Sequence, residues 1–220
     1  GVGWLTVASG GLPWVALACA VGSAVFGMMI ILFTLPLALG LLDLAFAIVA
    51  LLLSVVTASA LRRRPALPGA GRTRPLAGAA FVALLVMHLA GSLIAGVTDD
   101  GTGSFTRCLS WPLWAIVEVD GAAAPQVVRM VLAGAAALLI LAVGWRLWRG
   151  GARVLAAVLV GALAVEQGLG IAIVAAGVSA GQTNGIQATV AVLYSALAVV
   201  ILAAISLAVA RTLPPAGRPA

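Results

Sequence analysis

Apolar residues run along this chain in blocks rather than in stripes. Six stretches have about the 20 mostly apolar residues that a helix needs to cross a bilayer. They fall at roughly Pro13–Leu35, Gly40–Leu61, Leu76–Val97, Gln126–Trp145, Val154–Gly177 and Ile186–Ala210. The first two share one run, 13–61, that is too long for a single crossing, and Pro36, Gly40 and Asp43 break it as a tight hairpin would. The pattern predicts an all-α polytopic membrane bundle of six transmembrane helices. An N-terminal segment and hairpin occupy 1–61, a basic linker 62–75, a four-helix bundle 76–210 with a polar loop at 98–125, and a tail 211–220.

Composition fixes the class independently of helix boundaries. Of the 220 residues 64% are hydrophobic and 8% charged, with mean hydropathy +1.23, so the chain cannot cover a water-soluble surface. The first ten residues, GVGWLTVASG, carry no basic run, and no signal peptide is expected within them. A net charge of +6 would suggest nucleic acid in a soluble domain, but here the arginines gather at the ends of apolar blocks. No nucleic-acid partner is expected.

Those arginines orient the bundle. Arg62, Arg63, Arg64, Arg72 and Arg74 share one connection, Arg146, Arg149 and Arg153 another, and Arg211 and Arg218 the C-terminal end. An even number of crossings puts all three groups on one face, which the positive-inside rule makes cytoplasmic, with both termini. The 98–125 loop carries Asp99, Asp100, Glu118 and Asp120 against Arg107 and is expected outside. Trp145 and Trp148 suit the inner aromatic belt, and Trp111 and Trp114 the outer one. The expected location is a bacterial or archaeal cytoplasmic membrane. Small residues such as Gly134, Gly161, Gly168 and Gly170 are expected at helix contacts, where backbones approach closely.

Little polar chemistry remains inside the blocks. Ionisable groups in the hydrocarbon are costly unless paired, which makes them candidates for function. His88, the sole histidine, and Glu166 both fall roughly 16–18 Å from the basic ends of their blocks, at about 1.5 Å per residue, so they can meet. Such a pair would serve packing, a proton relay, or a site for a cationic or quinone head group. Gln167 is the neighbouring polar candidate, and Arg129 lies near the outer face, within reach of Glu118 or Asp120. Asp43, beside the hairpin break, reads as a cap or interfacial residue. Cys19 and Cys108 form neither a disulfide framework nor a metal motif, and Cys19 reads as packing. No metal site is expected.

Three segments carry a family likeness: GTGSFTRCLSWPLW (101–114), PQVVRMVLAG (125–134) and QGLG (167–170). Over about residues 76–210 the chain resembles the haem A synthase family, whose half-unit is a four-helix bundle with a long outer loop after its first helix. The resemblance places Cys108 at the first loop cysteine, Trp111 and Pro112 at the Trp-Pro, and Arg129 at the arginine after the haem histidine. It also places Trp114 at the second cysteine, Pro125 at the glutamate and Val128 at the haem-ligating histidine, and the sixth block has no histidine. The likeness therefore implies a relative whose catalytic site is lost. From the residues themselves, haem ligation would rest on His88, the one imidazole, with a methionine such as Met87 or Met130.

Three classes of function follow. The preferred one is a non-catalytic membrane subunit or assembly partner of a larger, respiratory-type complex, in contact with the bilayer and with membrane-protein partners or further copies of itself. The second is a membrane enzyme that handles haem or quinone. The third is a small transporter or proton channel that uses His88 and Glu166.

Overall fold

The computed structural model describes residues 10–32, 37–62, 67, 69–95, 123–175 and 185–213. They form six helices: α1 Leu12–Leu32, α2 Leu37–Leu61, α3 Ala70–Ala95, α4 Ala123–Arg149, α5 Arg153–Ala175 and α6 Gly185–Thr212. No strand occurs among the described residues. Each helix contains a span long and apolar enough to cross a membrane, so the chain is an all-α, multi-pass membrane protein.

The last four helices close a ring, α3 on α4, α4 on α5, α5 on α6 and α6 back on α3. Outside it α2 packs against α6 and α3, and α1 packs along α2. Each ring helix turns one narrow stripe inward: Ala77, Ala80, Leu84 and His88 on α3; Ala133, Ala136, Ile140, Val143 and Leu147 on α4; Ala156, Leu159, Leu163 and Glu166 on α5; Ala198, Ile201, Ile205 and Ala208 on α6. Steps of three and four residues give a mean repeat near 3.5, the spacing of helices that wind around each other with a left-handed twist. His88 and Glu166 are therefore core positions of their stripes.

The turns explain why the ring closes. After α4, Gly151 adopts a left-handed conformation (φ 82°) that a side chain would strain. Its N–H donates to the Trp148 carbonyl at 3.1 Å, and that of Ala152 to the Leu147 carbonyl at 2.9 Å. This is a Schellman cap, with Leu147 and Ala152 both buried beneath it. The Ala152 carbonyl then accepts from Ala156 at 3.0 Å and starts α5, so α5 must run back along α4.

The basic linker is shorter than the sequence suggests. α3 begins at Ala70, six residues before Leu76, and carries Pro75 inside it. Pro75 lies in the second turn, where its missing N–H leaves the Gly71 carbonyl without its helical donor, and the helix continues through it. Gly69, also left-handed (φ 73°), starts the helix. Within the linker Leu67 is buried in the core cluster, and its N–H donates to the Arg211 carbonyl at 3.1 Å, satisfying one of the last carbonyls of α6.

The hairpin break also moves. α2 starts at Leu37, which puts Gly40 and Asp43 inside a helix rather than in a turn. Asp43 is no cap: its carboxylate accepts a hydrogen bond from Ser23 Oγ of α1. Phe26 and Phe46 stack beside that bond, ring centroids 5.6 Å apart, and Cys19 is buried on the same face of α1. The small residues divide. Ala133 and Gly170 are buried, whereas a Cβ on Gly134, Gly161 or Gly168 would meet nothing within 4 Å. The closest approach is at Gly144, where a Cβ would come within 2.6 Å of Val160 Cγ2.

Candidate functional site

His88 and Glu166 come from different helices and border one cavity at the centre of the ring. α3 supplies Leu84, Met87 and His88, α4 contributes alanines such as Ala133 and Ala136, α5 adds Leu163 and Glu166, and α6 closes the space with Ala198 and Ile201. Both polar residues are 7% exposed. They border the same space because each occupies the inward stripe of its helix, and because alanine on the facing stripes leaves room for a larger polar side chain. The cavity is small, about 10 Å³. That is close to the least space that holds one water molecule.

The imidazole is held from its own helix. His88 Nδ1 lies 2.6 Å from the Leu84 carbonyl oxygen one turn earlier. A carbonyl can only accept, so Nδ1 carries the proton and Nε2 is the acceptor nitrogen of the neutral ring. Backbone anchoring of this kind fixes both tautomer and ring orientation. An imidazole and a carboxyl group around a one-water space can share or pass a proton. As an ion pair they gain from attraction in a low dielectric but lose the hydration of both ions; as a neutral pair they do neither.

The other candidates lie elsewhere. Gln167 is half-buried and borders no part of the cavity; its Nε2 is shut off from solvent without a hydrogen-bond partner. The backbone of Arg129 belongs to α4, but its side chain lies outside the described residues, as do Cys108, Trp111, Glu118 and Asp120 entirely. Among the described residues no group of three or more His, Cys, Asp or Glu side chains could hold a metal ion.

The same geometry tests the fit of a haem or a quinone. Pockets that take such molecules measure about 300–1,000 Å³, against about 10 Å³ here. Met87 borders the cavity from the residue next to His88, on the same helix, and so cannot approach an iron from the opposite face. Val128, which stands where the resemblance puts the haem histidine, is 56% exposed, away from the inward stripe of α4. Among the described residues, the space that His88 and Glu166 border therefore has no room for either group.

Sequence reading missed the Ser23–Asp43 bond, the Gly144–Val160 approach and the burial of Leu67. Only the first had a usable signal: a serine and an acid in adjacent apolar blocks joined by a tight break. Comparison with protein-family models, with curated proteins and with solved structures finds no match to this chain.

Proposed function

We propose that the chain is a non-catalytic integral membrane subunit or assembly partner of a larger membrane complex of respiratory type, set in a bacterial or archaeal cytoplasmic membrane. The single observation that carries this reading is the small space, about 10 Å³, that the described residues leave around His88 and Glu166. A substrate has no room there, which leaves the outer surfaces as the working ones. The arginines support a cytoplasmic position for the connections that hold Arg62, Arg72 and Arg74 and Arg146, Arg149 and Arg153, and hence for both termini. The likeness to haem A synthases enters as a likeness of fold, supported by a four-helix ring with a long segment between α3 and α4, and without a haem.

The test is extraction of the tagged chain from its native membrane in a lipid-retaining polymer. The expected result is a particle well above the 21.9 kDa of the chain with a stoichiometric protein partner whose membrane level falls when the chain is deleted. A monomeric chain with a Soret band would sink the reading and restore haem handling.

A second reading, a proton-conducting site, rests on His88 and Glu166 bordering the same one-water space. Vesicles containing the purified chain would then dissipate a pH gradient, and Glu166→Gln and His88→Ala would each stop the flux. Equal leakage from wild type and both variants would refute it.

A further inference from the structure

The outer surface of the ring carries a groove on the side away from the hairpin. The hairpin packs against α3 and α6, whereas the groove lies between α4 and α5. Its volume is about 390 Å³. Gly144, Ala156 and Gly161 line it with small side chains, Val160 forms part of the wall, and Trp145 and Trp148, both largely exposed, flank it. At its polar end two guanidinium groups rest on those indoles, Arg149 over Trp145 at 5.7 Å and Arg153 over Trp148 at 5.9 Å. The acidic residue on these two helices is Glu166, which faces the inner cavity instead.

We propose that this groove binds one acyl chain of an anionic glycerophospholipid whose phosphate meets Arg149 and Arg153. The groove is apolar along its length and cationic at one end, which is the charge pattern of an anionic lipid. A flexible hydrocarbon chain needs only a narrow apolar slot, which the glycines and alanines leave open. The lipid charge complements two exposed arginines. Each guanidinium lies within cation–π range of an indole, and its N–H groups can donate to phosphate oxygens. Tryptophan at head-group level suits the same boundary.

The experiment uses the full chain with Trp4, Trp14, Trp111 and Trp114 replaced by Phe, so that Trp145 and Trp148 are the emitters. It is reconstituted in phosphatidylcholine vesicles that contain acyl-brominated phosphatidylglycerol or acyl-brominated phosphatidylcholine. The anionic lipid is expected to quench at the lower mole fraction. Attraction of about 1 kcal/mol per arginine near the surface corresponds to about fivefold in relative affinity, so Arg149→Gln and Arg153→Gln each reduce the preference by that factor. Gly161→Phe, which fills the exposed groove two turns away from Arg153 and whose Cβ would meet nothing within 4 Å, lowers quenching by both lipids. Inorganic phosphate leaves the preference in place.

Equal quenching by the two lipids, or a preference that survives in the double arginine variant, would overturn the proposal. Loss of the preference on adding inorganic phosphate would assign the arginines to a free anion and overturn it too. Quenching by neither lipid would mean that a second copy covers the groove, and the lipid site would be refuted.

Discussion

The hairpin and the ring are both packed from apolar helices, and they differ in how deeply each helix is buried and in the polar bond that the hairpin adds. In the spanning part of α1, 11% of residues are buried, and in that of α6, 47%. Lipid tails are as apolar as leucine, so neither figure reflects a hydrophobic drive between helices; association in a bilayer rests on packing and hydrogen bonds. The ring uses packing, with four inward stripes meshed around a cavity of one-water size. In the hairpin α1 packs along α2, and the seam carries a stacked aromatic pair and a hydrogen bond, Ser23 to Asp43, while the other faces of α1 meet lipid. Apolar composition thus places both regions in the membrane, and small-residue geometry decides which of them becomes a core.

The sharpest way to break this comparison is to cut the same side chain in each region. Leu159, fully buried, is expected to cost about 2–4 kcal/mol as Leu159→Ala, because the space left behind refills only partly. Leu17, exposed on α1, is expected to change stability by no more than about 0.5 kcal/mol as Leu17→Ala. Reversible unfolding in mixed micelles measures both. Similar losses would mean that α1 is packed as tightly as the ring.

Glycines give the next contrast. Gly144→Ala drives a methyl group to 2.6 Å from Val160 Cγ2, and valine in a helix has little rotamer freedom with which to yield. A loss of about 1–3 kcal/mol follows from overpacking, and Val160→Ala in the same chain is expected to restore most of it. In the hairpin, Gly22→Ala meets the Phe46 ring at 3.6 Å and Gly27→Ala meets Asp43 at 3.7 Å, ordinary contacts that leave stability nearly unchanged. A destabilising Gly27→Ala would show the hairpin to be the tighter of the two.

How far the sequence discloses this architecture depends on what kind of residue carries the signal. The six crossings are legible because their length and hydropathy are properties of a block. The faces are not. Every helix here is apolar all round, so hydropathy has almost no preferred side, and the inward stripes of α4 and α5 cannot be picked out by apolar periodicity. His88 and Glu166 are the exceptions: a polar residue inside a block marks the face that avoids lipid. Counting toward the N-terminus from each in steps of three and four reaches Leu84, Ala80 and Ala77, and Leu163, Leu159 and Ala156, which are all buried. Gly144 could not be told from Gly134 or Gly161, because closeness depends on the partner helix and not on the glycine. The arginines and prolines of 62–75 read as a linker, whereas α3 already begins at Ala70 and carries Arg72, Arg74 and Pro75 in its first turns.

The hydrogen bond of the hairpin can be weighed by a chemical reporter. Cys19 lies buried on the α1 face that meets α2, and with Cys108→Ser it becomes the one thiol in the chain. Ser23→Ala removes the donor to Asp43. A net loss of about 1 kcal/mol corresponds to roughly fivefold more opening of the pair, and to maleimide labelling of Cys19 faster by that factor. An unchanged rate would mean that the Phe26–Phe46 stack alone orders α1. The ring serves as the control, since the unfolding free energy measured for Leu159→Ala should not depend on Ser23.

The smallest expected effect sharpens the comparison from the ring side. Ser206 of α6 is fully buried, and its Oγ has no hydrogen-bond partner. A hydroxyl in that state loses its hydration and gains nothing in return, whereas alanine has the higher helix propensity and no polar group to satisfy. Ser206→Ala should therefore be neutral or stabilising, by up to about 1 kcal/mol, offset in part by the space of one missing oxygen. Ser23→Ala makes the same chemical change in the hairpin and should act in the opposite direction, because there the hydroxyl donates to Asp43. Opposite signs for one substitution in two membrane-spanning helices distinguish a serine packed without a polar bond from one whose packing carries a hydrogen bond. If Ser206→Ala instead weakened the fold by as much as Ser23→Ala, its hydroxyl would be engaged and the ring would share the means of the hairpin.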